Sequence, residues 1–287
     1  MGDANSGREM TGDMSFFERN IIALDTCVCR NLAYGDESWF DTFRTMSKEG
    51  FEFCIPDVCF FELVNQFLRG SIVVDKWQTM FARLKEILSC RFPILPVGRQ
   101  LFELIGAVRQ DDLEFMQKYY AAIFLQITAA TSQEMLLSRR ISFYAEGEKY
   151  QCKSYYNRIE GEFQKERKSW VDRVKLGKGD SDETIRLLDE EFPAVPRVSH
   201  RLDLFIKIVA RSSERFAIGE YNPESKKKRN DGIDILALKA LAIPARFCTL
   251  DRMNGIGDVD SYQSAWVMSP DEIAMKFKNN LLPKLNW

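Results

Sequence analysis

Ile21-Ile22-Ala23-Leu24-Asp25-Thr26-Cys27-Val28 decides how the rest of the chain is read. The run is apolar and β-like, carries one aspartate near its end, and reads as the first strand of a sheet. Downstream, Leu32, Trp39, Phe40, Phe43 and Met46 fall at helical spacing across residues 31–47, and Gly50 ends that helix. Residues 51–55 are short, apolar and aromatic, a second strand. Pro56 and Asp57 then open a helix, with Asp57 as N-cap and an apolar face through Phe60, Phe61, Val64, Phe67 and Leu68. Another amphipathic helix spans residues 76–90. Residues 92–97, Phe-Pro-Ile-Leu-Pro-Val, read as an edge strand, because two prolines suit an edge better than a centre.

From residue 99 to about 219 the pattern is helical almost throughout, at 101–108, 113–131, 133–144, 150–174 and 202–210. A Gly-, Lys- and Asp-rich break lies at 175–182, and a polar, basic loop at 222–229. Residues 231–241 read as a helix, 246–250 and 265–268 as strands, and 270–277 as a helix with Pro270 in its first turn. This order predicts an α/β fold: a mostly parallel central sheet flanked by helices, with a long helical insertion at about 99–220. The expected core is residues 19–97 and 225–285 of a single domain, 19–287. Residues 1–18 are polar and expected to form a flexible N-terminus. Met1-Gly2-Asp3-Ala4-Asn5-Ser6 fits a loose myristoylation pattern, against which stands the plainer reading of a disordered polar start.

With 287 residues, 45% of them hydrophobic, the chain can bury a sizeable core. A formal net charge of −2 excludes polyanion binding by bulk electrostatics, so nucleic acid would have to be held by local basic patches. The longest strongly apolar stretch, around 119–130, is too short to span a bilayer, and the N-terminus lacks the layout of a signal peptide. The seven cysteines form no CxxC pair, and most lie in apolar runs; they read as reduced, buried thiols of a cytoplasmic protein. Cys27 and Cys29 would share one strand face. The single histidine, His200, excludes most histidine metal sites and reads as a surface or capping residue.

Five acids stand out by context. Asp25 closes the first strand, and Glu62 lies about one turn into an apolar helix. Asp231 and Asp234 share a helix face, and Asp251 ends the following strand. Each has a plain alternative: Asp25 as a cap, Glu62 as a solvent-facing residue, Asp231 and Asp234 as acids favoured at a helix start. Strand ends and first helical turns, however, converge on one edge of a parallel sheet. Carboxylates gathered there repel one another unless a divalent cation sits among them. That points to metal-dependent phosphoryl chemistry.

Taken together, these residues resemble the PIN-domain family of metal-dependent nucleases. Asp25-Thr26-Cys27-Val28, Glu62 before Leu63, Asn230-Asp231 with Asp234 before an apolar run, and Thr249-Leu250-Asp251 look like its four motifs in order. Trp266-Val267-Met268-Ser269-Pro270-Asp271-Glu272 is similar to its last strand and helix. The resemblance covers residues 19–97 and 225–285 and not the long stretch between. It implies one or two Mg²⁺ or Mn²⁺ ions held by Asp25, Asp231 or Asp234, and Asp251. Glu62 would complete the second site or hold a water, and Thr26, Asn230 and Thr249 would orient carboxylates from behind. It implies endonucleolytic hydrolysis that leaves 5′-phosphate and 3′-hydroxyl ends, with single-stranded RNA expected rather than DNA. The runner-up is an inactive PIN-like scaffold that binds RNA or protein. Lys226-Lys227-Lys228-Arg229 abuts the third motif and is expected to contact phosphate, the alternative being a solvated loop. Lys165, Arg167, Lys168, Arg173, Lys175 and Lys178, with Trp170, Tyr155 and Tyr156, would bind single strands only if all faced one groove; an exposed helix is the alternative. The insertion is expected to shape the substrate groove or to receive a protein partner or inhibitor.

Overall fold

The computed structural model describes residues 20–35, 37–97, 101, 110–138, 140–145, 148–152, 155–177, 180–191, 198–225, 231–251, 256, 259–283 and 285. The expected N-terminal segment 1–18, the helix at 101–108 beyond Leu101, and the basic run 226–229 with Asn230 lie outside them.

Five parallel strands form the central sheet: β1 (Asn20–Leu24), β2 (Phe51–Pro56), β3 (Ile94–Leu95), β6 (Ala245–Cys248) and β7 (Val267–Met268). Their order is β3-β2-β1-β6-β7, which puts β1 at the centre. Ile21, Ile22, Ala23 and Leu24 are all fully buried. A central parallel strand is covered on both faces, which is why its sequence is an unbroken apolar run. Pro93 and Pro96 bracket β3, and β3 is an edge strand, as the two prolines predict.

Helices join the strands as crossovers. Between β1 and β2 lie α1 (Thr26–Asn31) and α2 (Phe40–Lys48); between β2 and β3 lie α3 (Asp57–Leu68) and α4 (Val74–Ile87). The first strand is shorter than its apolar run suggests. Leu24 ends it, Asp25 caps α1, and Cys27 and Val28 are helical. The expected helix at 31–47 is correspondingly split, with residues 32–39 outside both helices. Asp57 is the first residue of α3, and its Oδ1 accepts from the backbone N–H groups of Val58 (2.8 Å) and Val97 (3.2 Å). It thereby ties the end of the third strand to the start of the second crossover.

The long segment before β6 is helical in α5 (Gln110–Thr128), α6 (Gln133–Ser138), α7 (Tyr155–Leu176), α8 (Ser181–Glu191), α9 (Val198–Arg201) and α10 (Asp203–Ala217). It also contains a hairpin, β4 (Ile141–Ala145) with β5 (Glu148–Cys152), where helix is expected at 133–144 and from 150. The stretch Ile141-Ser142-Phe143-Tyr144-Ala145 alternates: Ile141 and Phe143 are buried and Tyr144 is exposed. That period of two overrides the helical reading. Phe143 stacks on Tyr150, its partner across the hairpin, and Phe115 of α5 packs edge-on against both.

The insertion shares the core of the sheet. Phe67 stacks on Trp77, Trp77 meets Phe81, and Phe124 of α5 touches both Phe60 and Phe81. Aromatic pairs of this kind contribute about 0.5–1.5 kcal/mol each beyond area burial. Gln133 Nε2 donates to Phe67 O (3.0 Å), and Gln126 exchanges two bonds with Ser142. The chain returns through α11 (Asp231–Ala237) and a 3-10 turn (Leu238–Ala242) that packs on β6. It closes with α12 (Pro270–Lys278), capped by the Ser269 side chain, after a second 3-10 turn (Tyr262–Trp266). Among the described residues no helix is long and apolar enough to cross a membrane.

Candidate metal centre

Strand order reverses at β1. From it the chain runs outward through β2 and β3, then returns on the other side as β6 and β7. The two crossover sets part there, beyond the carboxyl ends of β1 and β6, which is where open α/β sheets bind ligands. Leu24 pairs with Cys248, the last residues of these strands, and Asp25 N–H donates to Cys248 O (2.9 Å). Asp25 and the Thr249-Leu250-Asp251 segment therefore leave the sheet side by side.

Asp25 is buried, at 3% exposure. Its Oδ1 accepts from Thr26 N–H (2.7 Å) and, more loosely, from Cys59 Sγ (3.6 Å). Its Oδ2 accepts from Thr249 Oγ1 (2.7 Å) and Cys27 Sγ (3.1 Å). The capping alternative is thus true of Asp25 and does not exclude the site: one oxygen caps α1 while the other is held from β6. Thr249 Oγ1 also accepts from Asp251 N–H (3.1 Å), which folds Asp251 back toward Asp25. Asp251 itself is exposed.

Glu62 and the third motif come in through helix packing. Phe61 and Ile233 pack together with Val58, joining α3 to α11. Glu62 and Asp234 are the next residues in sequence, so the apolar contact carries two carboxylates to one place. Both are half-buried, as is Asp231. Burial raises the Glu62 pKa and the Asp25 charge adds to this, while the nearby Thr26 hydroxyl, the Gln66 amide (3.2 Å) and Arg30 work against it. Asp234 is pushed up to about 8, first by burial and then by the charges of Asp25, Glu62, Asp231 and Asp251. All four other acids therefore act on this one carboxyl.

Ligand atoms of Asp25, Cys27 and Asp251 lie within 4.8 Å of one another, a group that could hold a metal ion. Cys27 is the member that sequence reading missed. As a strand residue it shares a face with Cys29. On α1 the two part: Cys29 is fully buried in the core, and half-buried Cys27 turns toward the acids and accepts from Leu250 N–H (3.2 Å). Burial, with the Asp25 charge second, raises its thiol to about 12. The available signal was its place two residues after Asp25, which reads correctly only once the strand is known to stop at Leu24. Cys29, Cys54, Cys59, Cys90 and Cys248 are, like Cys27, free thiols.

The inserted basic helix does not match the requirement for a stacking groove. Trp170 is buried at 1% exposure, Arg173 is buried and donates to Ser169 Oγ (3.1 Å), and Lys175 pairs with Glu224 (2.7 Å). Lys165 and Lys168 are exposed and Arg167 is half-buried; the placements of Lys178 and the side chains of Tyr155 and Tyr156 lie outside the described residues. His200 is exposed, and its carbonyl accepts from the Tyr262 hydroxyl (2.7 Å). Compared with known proteins, the chain matches no family model, no curated protein and no solved structure.

Proposed function

We propose that this chain is a metal-dependent endonuclease of the PIN type that hydrolyses phosphodiester bonds in single-stranded RNA in preference to DNA, and that it works in the cytoplasm. One observation carries the reading: the Asp234 carboxyl feels the charges of Asp25, Glu62, Asp231 and Asp251 together, at the point where strand order reverses. Binding alone does not require five acids at one sheet edge, and their mutual repulsion destabilises the ion-free state. The carboxylate oxygens suit a small hard cation, Mg²⁺ or Mn²⁺, while the Cys27 thiol, kept protonated by burial, stays a hydrogen-bond donor to Asp25 and not a ligand. Asp25, Asp251 and Asp231 or Asp234 would hold it, with Glu62 completing a second position.

Such an ion supplies Lewis acidity at the scissile phosphate and an activated water at neutral pH. The chain's own residues set the geometry. Thr26 N–H and Thr249 Oγ1 fix the two Asp25 oxygens, and Thr249 Oγ1 orders the loop that carries Asp251. Lys226, Lys227, Lys228 and Arg229, next in sequence to the third motif, would draw in the phosphate backbone. The insertion would shape the groove or receive a protein partner or inhibitor.

A second reading, a scaffold that binds without cutting, is favoured by a specific observation: both Asp25 oxygens already accept bonds from Thr26, Thr249 and Cys27. Incubation with labelled single-stranded RNA and DNA in Mn²⁺, Mg²⁺ or EDTA separates the two. Cleavage of RNA that needs the ion and is lost in Asp251→Asn is expected. RNA retained without cleavage would favour the scaffold, and cleavage undiminished in EDTA would refute the metal site.

A further inference from the structure

Inserted helix α7 packs against the third acidic motif, and Gly232 is where a side chain would not fit. Gly232 lies between Asp231 and Asp234 in α11, and a Cβ placed on it would fall 2.7 Å from Cδ1 and 3.0 Å from Cγ of Trp170. Carbon atoms pack at about 3.5–4.0 Å, so no larger residue lets α11 approach the indole this closely. Glycine is otherwise unfavourable inside a helix, which makes its presence here a consequence of the contact. Trp170 is 1% exposed.

Tyr221 completes the junction. It is 7% exposed, its hydroxyl comes near Trp170, and it feels the charge of Asp231. Among the described residues neither Trp170 Nε1 nor the Tyr221 hydroxyl has a hydrogen-bond partner, so the two approach without a bond of normal geometry. Buried donors left unused are rare and costly.

We propose that Trp170 is a positioning residue of the metal centre: packed against Gly232, it sets the height of α11 and with it the reach of Asp231 and Asp234. The inference rests on the metal-site reading above and extends it, because it makes the insertion part of the site's assembly. Without α7, the first turn of α11 would lose the surface that fixes how far Asp231 and Asp234 reach toward Asp25.

The test is Mn²⁺ binding by calorimetry to the full chain, alongside thermal melts in EDTA. Outer partners that orient metal ligands typically account for 10- to 100-fold in affinity. Trp170→Leu, which removes the indole against which α11 rests, is expected to weaken Mn²⁺ binding about tenfold. Gly232→Ala, whose Cβ pushes α11 off the indole, is expected to weaken it at least as much. Both variants can melt lower, so binding is compared at a temperature where circular dichroism shows each fully folded, and weakened binding there is the readout that a merely structural role would not give. Should Gly232→Ala fail to fold, Trp170→Leu or the milder Trp170→Phe decides. Parent and Trp170→Leu binding Mn²⁺ equally would overturn the inference and leave the metal site standing. A parent that binds no Mn²⁺ would overturn both.

Discussion

Replacing Asp234 by Asn isolates the electrostatic load of the acidic cluster. Without an ion, burial and then the charges of Asp25, Glu62, Asp231 and Asp251 push Asp234 up to about 8 from an ordinary 3.8. The folded chain therefore keeps a proton that the unfolded chain has lost, over roughly pH 4 to 8. The stability this contributes is complete below the unfolded pKa and is lost as the pH rises through the folded one. One pKa unit corresponds to about 1.4 kcal/mol. Between pH 5 and pH 8 the parent should lose on the order of 4 kcal/mol that the Asn variant, whose amide does not titrate, retains. At roughly 2–4 °C per kcal/mol for a chain of this size, that is about 10 °C. Melts of both proteins followed by circular dichroism in EDTA, at each unit from pH 5 to 8, check it. The curves should lie closest at pH 5, where the variant is already about 1.7 kcal/mol the more stable, and separate further as the pH rises to 8. Parallel pH dependence in the two proteins would refute the reasoning, because it would mean that Asp234 titrates as an ordinary carboxyl, away from the other four.

Asp25→Asn and Asp251→Asn should both abolish cleavage but differ in stability. Asp25 accepts bonds on both oxygens, so its variant should be about 1–2 kcal/mol less stable in EDTA. Exposed Asp251 should tolerate the change to within about 0.5 kcal/mol. Mn²⁺ at a hundred times Kd should stabilise the parent by about 2.7 kcal/mol and either variant much less, which melts with and without the ion will read. Iodoacetamide at pH 7.5, with peptide mapping, should label exposed Cys90 first and leave Cys27, whose thiol is held near 12, largely unmodified; early labelling of Cys27 would contradict its bond to Asp25. Changing Lys226, Lys227, Lys228 and Arg229 to Ser should weaken RNA binding and flatten its salt dependence while leaving turnover at saturating RNA nearly constant; identical binding isotherms at low salt would return the run to a solvated loop.

Sequence alone determined the parts that depend on local pattern. The apolar run at Ile21–Leu24, the prolines around Ile94-Leu95 and the Pro270 helix start carry their own periodicity and turn chemistry, and the sheet with its flanking helices follows from their order. The five acids were legible as candidates because each stands at the end of a strand or in the first turns of a helix, where direction along the chain fixes direction in space. Tertiary structure decided what depends on distant partners. That Asp25 lies beside Asp251 rests on β6 pairing with β1, more than 200 residues away along the chain. That Glu62 reaches Asp234 rests on Phe61 against Ile233. The reach of Cys27 toward the acids follows from a strand that stops four residues before its apolar run does, because an Asp25 cap, closed by Thr249 from another strand, outweighs β propensity at Cys27 and Val28. The hairpin at 141–152 and the Trp170–Gly232 contact were hidden for the same reason: single residues do not announce their partners, and it is long-range packing that selects among the local structures a sequence allows.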